Sequence, residues 1–147
     1  VKAKIVMLDE QEKGIRKVLN LGHTIGHAIE KVLNYRDITH GHAVAIGLMT
    51  ELRWMVSRGY LSEDLVIRLM AIFKELDMSI EIRDTISSKS LFDAISFDKK
   101  MQCDKLQLVV LQNFGLAAIR DLDQEEMFQM SAFASQFLNI HFSFPHS

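Results

Sequence analysis

The histidines are the residues of this chain best suited to metal or proton chemistry, and four of the six lie within positions 23–42. His23 and His27 are four residues apart, and His40 follows thirteen residues after His27. If residues 23–34 form a helix, the 3.6-residue period places His23, His27 and Glu30 on one stripe, together with Asn34. Two histidines so spaced can aim their ring nitrogens at one metal ion, and His40 could complete the cluster. The opposite side of this helix is apolar: Ile25, Ala28, Ile29 and Val32.

That spacing is also typical of two polar residues on a solvated helix face, so the histidines alone leave both interpretations open. Glycines flank them in a segment otherwise made of good helix formers: Gly22, Gly26, Gly41 and Gly47. Glycine within a helix costs about 1 kcal/mol relative to alanine. The close approach of a ligand or of a second backbone is a physical reason for their presence.

Three segments carry a longer pattern. Residues 9–30 have the sequence DEQEKGIRKVLNLGHTIGHAIE, residues 40–47 have HGHAVAIG, and residues 98–100 have DKK. Together they closely resemble the C-terminal domain of 3-dehydroquinate synthase, and the resemblance covers roughly residues 2–121. It implies a mainly α-helical domain of the fold shared by dehydroquinate synthases and iron-type alcohol dehydrogenases.

The resemblance also implies roles for individual residues. His23 and His40 match two histidine ligands of a divalent metal, zinc or cobalt, and His27 matches a histidine that transfers protons near the substrate. Glu12 matches a second catalytic residue in contact with the substrate. The positions that match substrate-binding residues are Lys2, Arg16, Asn20, Lys99 and Lys100, with one of the two adjacent lysines expected to serve. Without the resemblance, these charged residues would be ordinary solvated side chains.

Family members use NAD and a divalent metal to convert a heptulosonate phosphate to 3-dehydroquinate with loss of phosphate. This lyase step belongs to the shikimate pathway of aromatic amino-acid biosynthesis. Their third metal ligand, a Glu, and their nicotinamide-binding segment belong to an N-terminal α/β domain that nothing in this sequence resembles. We therefore expect residues 1–147 to be the single metal- and substrate-binding domain of a longer, homodimeric protein, and to be inactive alone. A start at Val1, close to the first matching residue, indicates the same.

Position 42 departs from the family pattern, since His42 stands where a Glu is usual. Related sugar-phosphate cyclases vary near this position, so another cyclase of the superfamily is an alternative. A metal-dependent polyol or alcohol dehydrogenase is a second alternative, because such enzymes also carry a His-x-x-x-His and a later His-Gly, although residues 16–20 favour the cyclase. A degenerate helical domain kept for interaction is the non-enzymatic alternative.

Length and composition fit one globular domain, because 147 residues of which 48% are hydrophobic can bury a core. The net charge of −2 argues against a general nucleic-acid binder, whereas a basic cluster within residues 2–17 suits a small anionic sugar phosphate. Cys103 is the single cysteine, which fits a reducing compartment. No apolar run approaches the length of a membrane span, about 18 residues. These features predict a cytoplasmic protein that binds neither membranes nor nucleic acid.

The apolar pattern predicts further helices and one hairpin. A second helix is expected over residues 41–58, and a third begins after the cap residue Ser62. A short helix over residues 90–97 precedes two strands, at 106–112 and 116–121, and a last helix runs from Asp123 to about residue 138. The apolar stripe of the third helix is assigned to the core: Leu65, Leu69, Ile72, Phe73 and Leu76.

Overall fold

The structure, a computed structural model, describes residues 20–36, 38–76, 82, 85–101, 106–113 and 116–141. Within these ranges the chain forms five helices and one two-stranded antiparallel sheet. In chain order the elements are α1 (His23–Val32), α2 (His40–Ser57), α3 (Glu63–Glu75), α4 (Ser88–Met101), β1 (Leu106–Asn113), β2 (Leu116–Leu122) and α5 (Gln124–His141). The predicted mainly helical domain with one small hairpin is confirmed.

The hydrophobic core forms where α1 packs against α2 and α4, and where α2 and α4 pack against α5. Trp54 of α2 is the largest of its fully buried side chains. On α1, Ile25, Ala28 and Ile29 are fully buried, so the apolar side predicted opposite the histidines faces the core. Burying each of the larger side chains stabilises the fold by about 1.5–3 kcal/mol. No described helix is both long enough and apolar enough to cross a membrane.

The assignment of the whole α3 stripe to the core is wrong. Leu65 and Val66 in the first turns are buried, but Ile72 and Leu76 are 51% and 65% exposed. Periodicity correctly places Leu65, Ile72 and Leu76 on one face of the helix. The exposure differs because only the first half of α3 packs against the core, mainly on α2.

Polar caps set where α4 and α5 begin. Ser87 accepts a hydrogen bond from the backbone N–H of Ser90 through its Oγ atom (3.1 Å), so α4 starts before the predicted residue 90 and continues past 97. Asp123 caps α5 as predicted, since its Oδ1 atom accepts from the backbone N–H of Glu126 at 2.8 Å. The strands β1 and β2 lie close to the predicted ranges, with Leu106 opposite Leu122.

The first two helices cross at a contact between glycines. A Cβ atom on Gly26 would lie 3.0 Å from the Cα atom of Val44, and one on Gly47 would lie 2.5 Å from the backbone nitrogen of Gly26. A Cβ atom on Gly22 would lie 2.9 Å from the carbonyl oxygen of Val44. Close approach of two backbones therefore explains these three glycines, whereas a Cβ atom on Gly41 would meet nothing within 4 Å. The backbones of α1 and α2 are consequently held at a fixed, short separation.

Candidate metal centre

Three histidines from two helices converge at one end of the α1–α2 pair. His23 and His27 lie one turn apart on α1, and His40 is the first residue of α2. One potential ligand nitrogen from each ring lies within 4.8 Å of those of the other two. The three ring centroids are 5.3 to 5.8 Å apart. A tetrahedral ion with ligand bonds of about 2.0–2.1 Å needs its donors somewhat closer, which small side-chain rotations can supply.

The turn between the helices brings His40 to this position. Asn34 and Tyr35 have left-handed backbone conformations, with φ of 53° and 58°. The N–H of Asn34 donates to the carbonyl of Lys31 at 3.1 Å, and the N–H of Tyr35 donates to the carbonyl of Glu30 at 2.7 Å. These two bonds form a Schellman motif, which ends α1 at Val32, slightly before the residue 34 considered in the sequence analysis. The chain can then return to start α2 beside the histidines of α1.

Glu30 orients the ring of His40. Its Oε1 atom lies 2.8 Å from Nδ1 of His40, and its side chain is only 11% exposed. A carboxylate accepts hydrogen bonds, so Nδ1 carries the hydrogen and the lone pair of a neutral ring is on Nε2. A carboxylate behind a histidine in this way fixes the tautomer and raises the basicity of the other nitrogen, as is usual for metal-binding histidines.

His23 has a similar partner, and His27 differs. The Nδ1 atom of His23 lies 3.3 Å from the carbonyl oxygen of Leu21, so the same tautomer is favoured and Nε2 is available. The ring of His27 is exposed and makes no hydrogen bond to the described residues, although it contacts both other imidazoles. The cluster therefore contains two oriented histidines and one that is less constrained.

A pocket of about 250 Å³ opens beside the cluster. Its walls are formed by His27, Glu30, Lys31, Tyr35 and His40. Two of the three histidines thus face a space that can admit a small polar ligand, and a lysine lies at its edge. Glu51 of α2 is 1% exposed and accepts hydrogen bonds from the backbone at the start of α1.

The other residues singled out by sequence are distributed differently. Lys2, Glu12 and Arg16 lie outside the described residues, as do the side chains of Lys99 and Lys100 at the end of α4. Asn20 is exposed and lies three residues before His23. His42 is exposed in the first turn of α2, where its backbone N–H donates to Oγ1 of Thr39 at 3.2 Å, and it is not part of the three-histidine group.

Two residues near the cluster were missed from the sequence. Glu30 shares the stripe of His23 and His27, which was a usable signal, but a Glu on a polar stripe is normally solvated. For Glu51, the sequence shows only a single carboxyl group after an apolar segment. Its burial depends on the crossing of α1 and α2, which is not a local property of the sequence.

The family comparison agrees with this arrangement. A sequence model of the family described as 3-dehydroquinate synthase C-terminal matches residues 1–101, which include all three histidines and both helices that carry them. The chain belongs to this family. Within it, the 3-dehydroquinate synthases of Thermoanaerobacter pseudethanolicus and Synechococcus sp. are 35% and 36% identical to the chain over 130 and 120 residues. These matches cover 88% and 82% of this chain but only 36% and 33% of the relatives, so the chain spans about a third of their length.

Two solved structures share the fold. A 2-deoxy-scyllo-inosose synthase, crystallised with carbaglucose-6-phosphate, NAD⁺ and Co²⁺, superposes with a TM-score of 0.71 at 22% identity, over 89% of this chain and 37% of that protein. A 2-epi-5-epi-valiolone synthase from Streptomyces hygroscopicus subsp. jinggangensis, with NAD⁺ and Zn²⁺ bound, gives a TM-score of 0.70 at 17% identity, over 91% and 37%. The fold predicted for the 3-dehydroquinate synthase C-terminal family is thereby confirmed.

Proposed function

We propose that this chain is the metal- and substrate-binding domain of a 3-dehydroquinate synthase, the lyase that converts a heptulosonate phosphate to 3-dehydroquinate in aromatic amino-acid biosynthesis. The cofactors of the whole enzyme would be NAD, held mainly by another domain, and zinc or cobalt. One observation carries the proposal. His23 and His40 have their Nδ1 atoms hydrogen-bonded to oxygen acceptors, whereas His27, which lines the pocket, has no such partner among the described residues.

The chemistry of the donors fits a zinc or cobalt ion. Imidazole nitrogens are common ligands of both metals, and a carboxylate such as Glu30 behind His40 is a typical supporting group. His23 and His40 would hold the ion, with a third protein ligand from elsewhere in the whole enzyme. Bound there, the metal would supply Lewis-acid polarisation of a substrate oxygen.

His27 is proposed to move a proton. It lies in contact with both proposed ligands, and it lines the pocket together with Glu30 and Lys31. A histidine can accept and return a proton near neutral pH. Because its ring is exposed and not fixed by a hydrogen bond to a described residue, it can turn towards a bound substrate.

Substrate binding is proposed for residues that match the family pattern. The planar guanidinium of Arg16 suits a phosphate or carboxylate. Asn20 is exposed and lies three residues before His23. Glu12 would contact the substrate and act with His27 as the second catalytic residue. The remaining proposed contacts to the anionic substrate are Lys2 and one of Lys99 and Lys100. We further propose that the whole enzyme is a cytoplasmic homodimer.

The test is a steady-state assay of the full-length gene product with a heptulosonate phosphate, NAD and zinc, following both phosphate release and formation of the cyclic ketone. Activity is expected, and it should be lost in His40→Ala. Turnover of glycerol with reduction of NAD, without turnover of the heptulosonate phosphate, would instead identify a polyol dehydrogenase. Absence of turnover with any sugar phosphate or polyol would contradict an enzymatic function.

A further inference from the structure

The start of α1 lacks a capping side chain of its own. Its N-cap residue is Gly22, and the first turn contains no acidic residue. The first backbone N–H groups of a helix have no partner within the helix and normally bond to a Ser, Thr, Asp or Asn at the N-cap. Gly22 cannot be replaced by such a residue without strain, because it has φ of 84° and its Cβ atom would lie 2.9 Å from both Val44 O and Leu48 Cβ.

Glu51 supplies the missing acceptors from the neighbouring helix. Its Oε2 atom accepts from the N–H of Gly22, and its Oε1 atom accepts from the N–H of Ile25, each at 2.9 Å. These are the N-cap and third helical positions, the two that a capping box satisfies within one helix. Here a single carboxyl group from α2 satisfies both, and the residue is 1% exposed. His23 lies between the two N–H groups that Glu51 holds.

The glycine contact and the carboxyl group act on the same part of α1. Gly47 lies one turn before Glu51 on α2 and packs against Gly22 and Gly26. The glycines set how closely the helices approach, and the two hydrogen bonds set where the first turn of α1 lies along α2. Because α2 also begins with His40, this junction determines the position of His23 relative to His40.

We infer that Glu51 is a positioning residue for the metal centre: it fixes the first turn of α1, and with it His23, onto the helix that carries His40. The inference rests on the proposed metal role of His23. Glu51 belongs neither to the three-histidine group nor to the lining of the pocket, so its effect passes through the backbone of residues 22–25 and through the bond from His23 to Leu21.

The energetic cost of this arrangement supports the inference. Burial raises the pKa of Glu51 to about 7, although hydrogen bonds from the N–H groups of Ile25, Gly22 and Thr24 act in the opposite direction. A buried carboxyl group costs more desolvation free energy as a helix cap than an exposed Ser or Asp does. The buried carboxyl group of Glu51 is explained if the cap must also hold α1 against α2. A cap residue within α1 cannot do this.

The test uses Glu51→Ala, which removes both acceptors, and Glu51→Gln, which keeps one. The matched control is Leu138→Ala on α5, a fully buried residue of the same core whose truncation costs about 2–5 kcal/mol. Three quantities are measured on each purified chain. Long-range ¹H–¹⁵N NMR of the metal-free protein at pH 8 gives the tautomer of His23, and a Co²⁺ titration followed by visible absorption gives metal affinity. Thermal unfolding measures the loss of stability.

In the wild type His23 is expected to carry its hydrogen on Nδ1. Glu51→Ala should mix the tautomers and weaken Co²⁺ binding about tenfold, with Glu51→Gln between it and the wild type. Leu138→Ala should retain the wild-type tautomer and affinity despite a similar loss of melting temperature.

A folded Glu51→Ala with the wild-type tautomer and affinity would overturn the inference, as would an equal loss of affinity in Leu138→Ala. If Glu51→Ala does not fold, the His23 tautomer and the Co²⁺ affinity of Glu51→Gln decide instead. Failure of the wild type to bind Co²⁺ would overturn the metal role of His23, and the tautomer would still decide the role of Glu51.

Discussion

Replacing Gly47 by alanine tests whether the α1–α2 contact holds the histidine cluster together. The new Cβ atom would lie 2.5 Å from the backbone nitrogen of Gly26 and closer still to the carbonyl oxygen of Gly22. Backbone atoms cannot rotate away as a side chain can. To reach the 3.4 Å at which ordinary contacts begin, α1 must move by about 1 Å. Strain of this kind in a packed interior costs about 3 kcal/mol, and the melting temperature should fall by about 10 °C.

The same displacement separates His23 and His27 from His40. Zinc affinity should therefore fall at least about tenfold in Gly47→Ala, measured by calorimetric titration at a temperature where the variant is folded. The control is Gly41→Ala in the same helix, where the new atom meets nothing within 4 Å. That change should leave zinc affinity unaltered and stabilise the helix by up to about 1 kcal/mol. Gly47→Ala with wild-type melting temperature and zinc affinity would refute the reasoning.

Three further outcomes are expected. Glu30→Gln should weaken zinc binding about 10- to 100-fold, because the amide no longer supports His40 as a carboxylate does; unchanged affinity in a titration would exclude this role. The pKa of Glu51 is raised from 4.5 to about 7 in the folded chain. Its contribution to the free energy of unfolding is therefore fully present below pH 4.5 and is lost as pH rises through 7. Urea unfolding from pH 5 to 8 should therefore show a loss of about 3 kcal/mol that is missing in Glu51→Gln, and equal slopes would contradict the assignment. In the full-length enzyme His27→Ala should mainly lower kcat, whereas Arg16→Ala should raise KM; wild-type kinetics at unchanged melting temperature would remove either residue from the site.

The sequence was sufficient where the signal is local. The period of α1 correctly put Ile25, Ala28 and Ile29 in the core and left His23 and His27 on the other side. The cap residue Asp123 indicated the start of α5, and two apolar segments on either side of a turn-like sequence indicated the hairpin. These features depend on interactions within a few residues along the chain, so residue type and spacing are enough to place them.

Long-range packing was beyond the sequence. The apolar stripe of α3 told which residues share a face, but Ile72 and Leu76 are exposed because no described element covers that half of the helix. Glu30 and Glu51 would each be assigned to solvent by residue type. Packing of the helices buries both, and N–H groups from another part of the chain donate to their carboxyl oxygens. The support of the candidate site therefore became visible only in three dimensions.

The central claim is that His23 and His40 of this chain hold a divalent metal. Calorimetric titration of zinc into the 147-residue chain, beside His23→Ala, tests it most directly. The wild type should bind one ion, and bind it weakly, because the chain supplies only part of the ligand set. His23→Ala should abolish that binding. Tight zinc binding that is unaffected by His23→Ala would contradict the account.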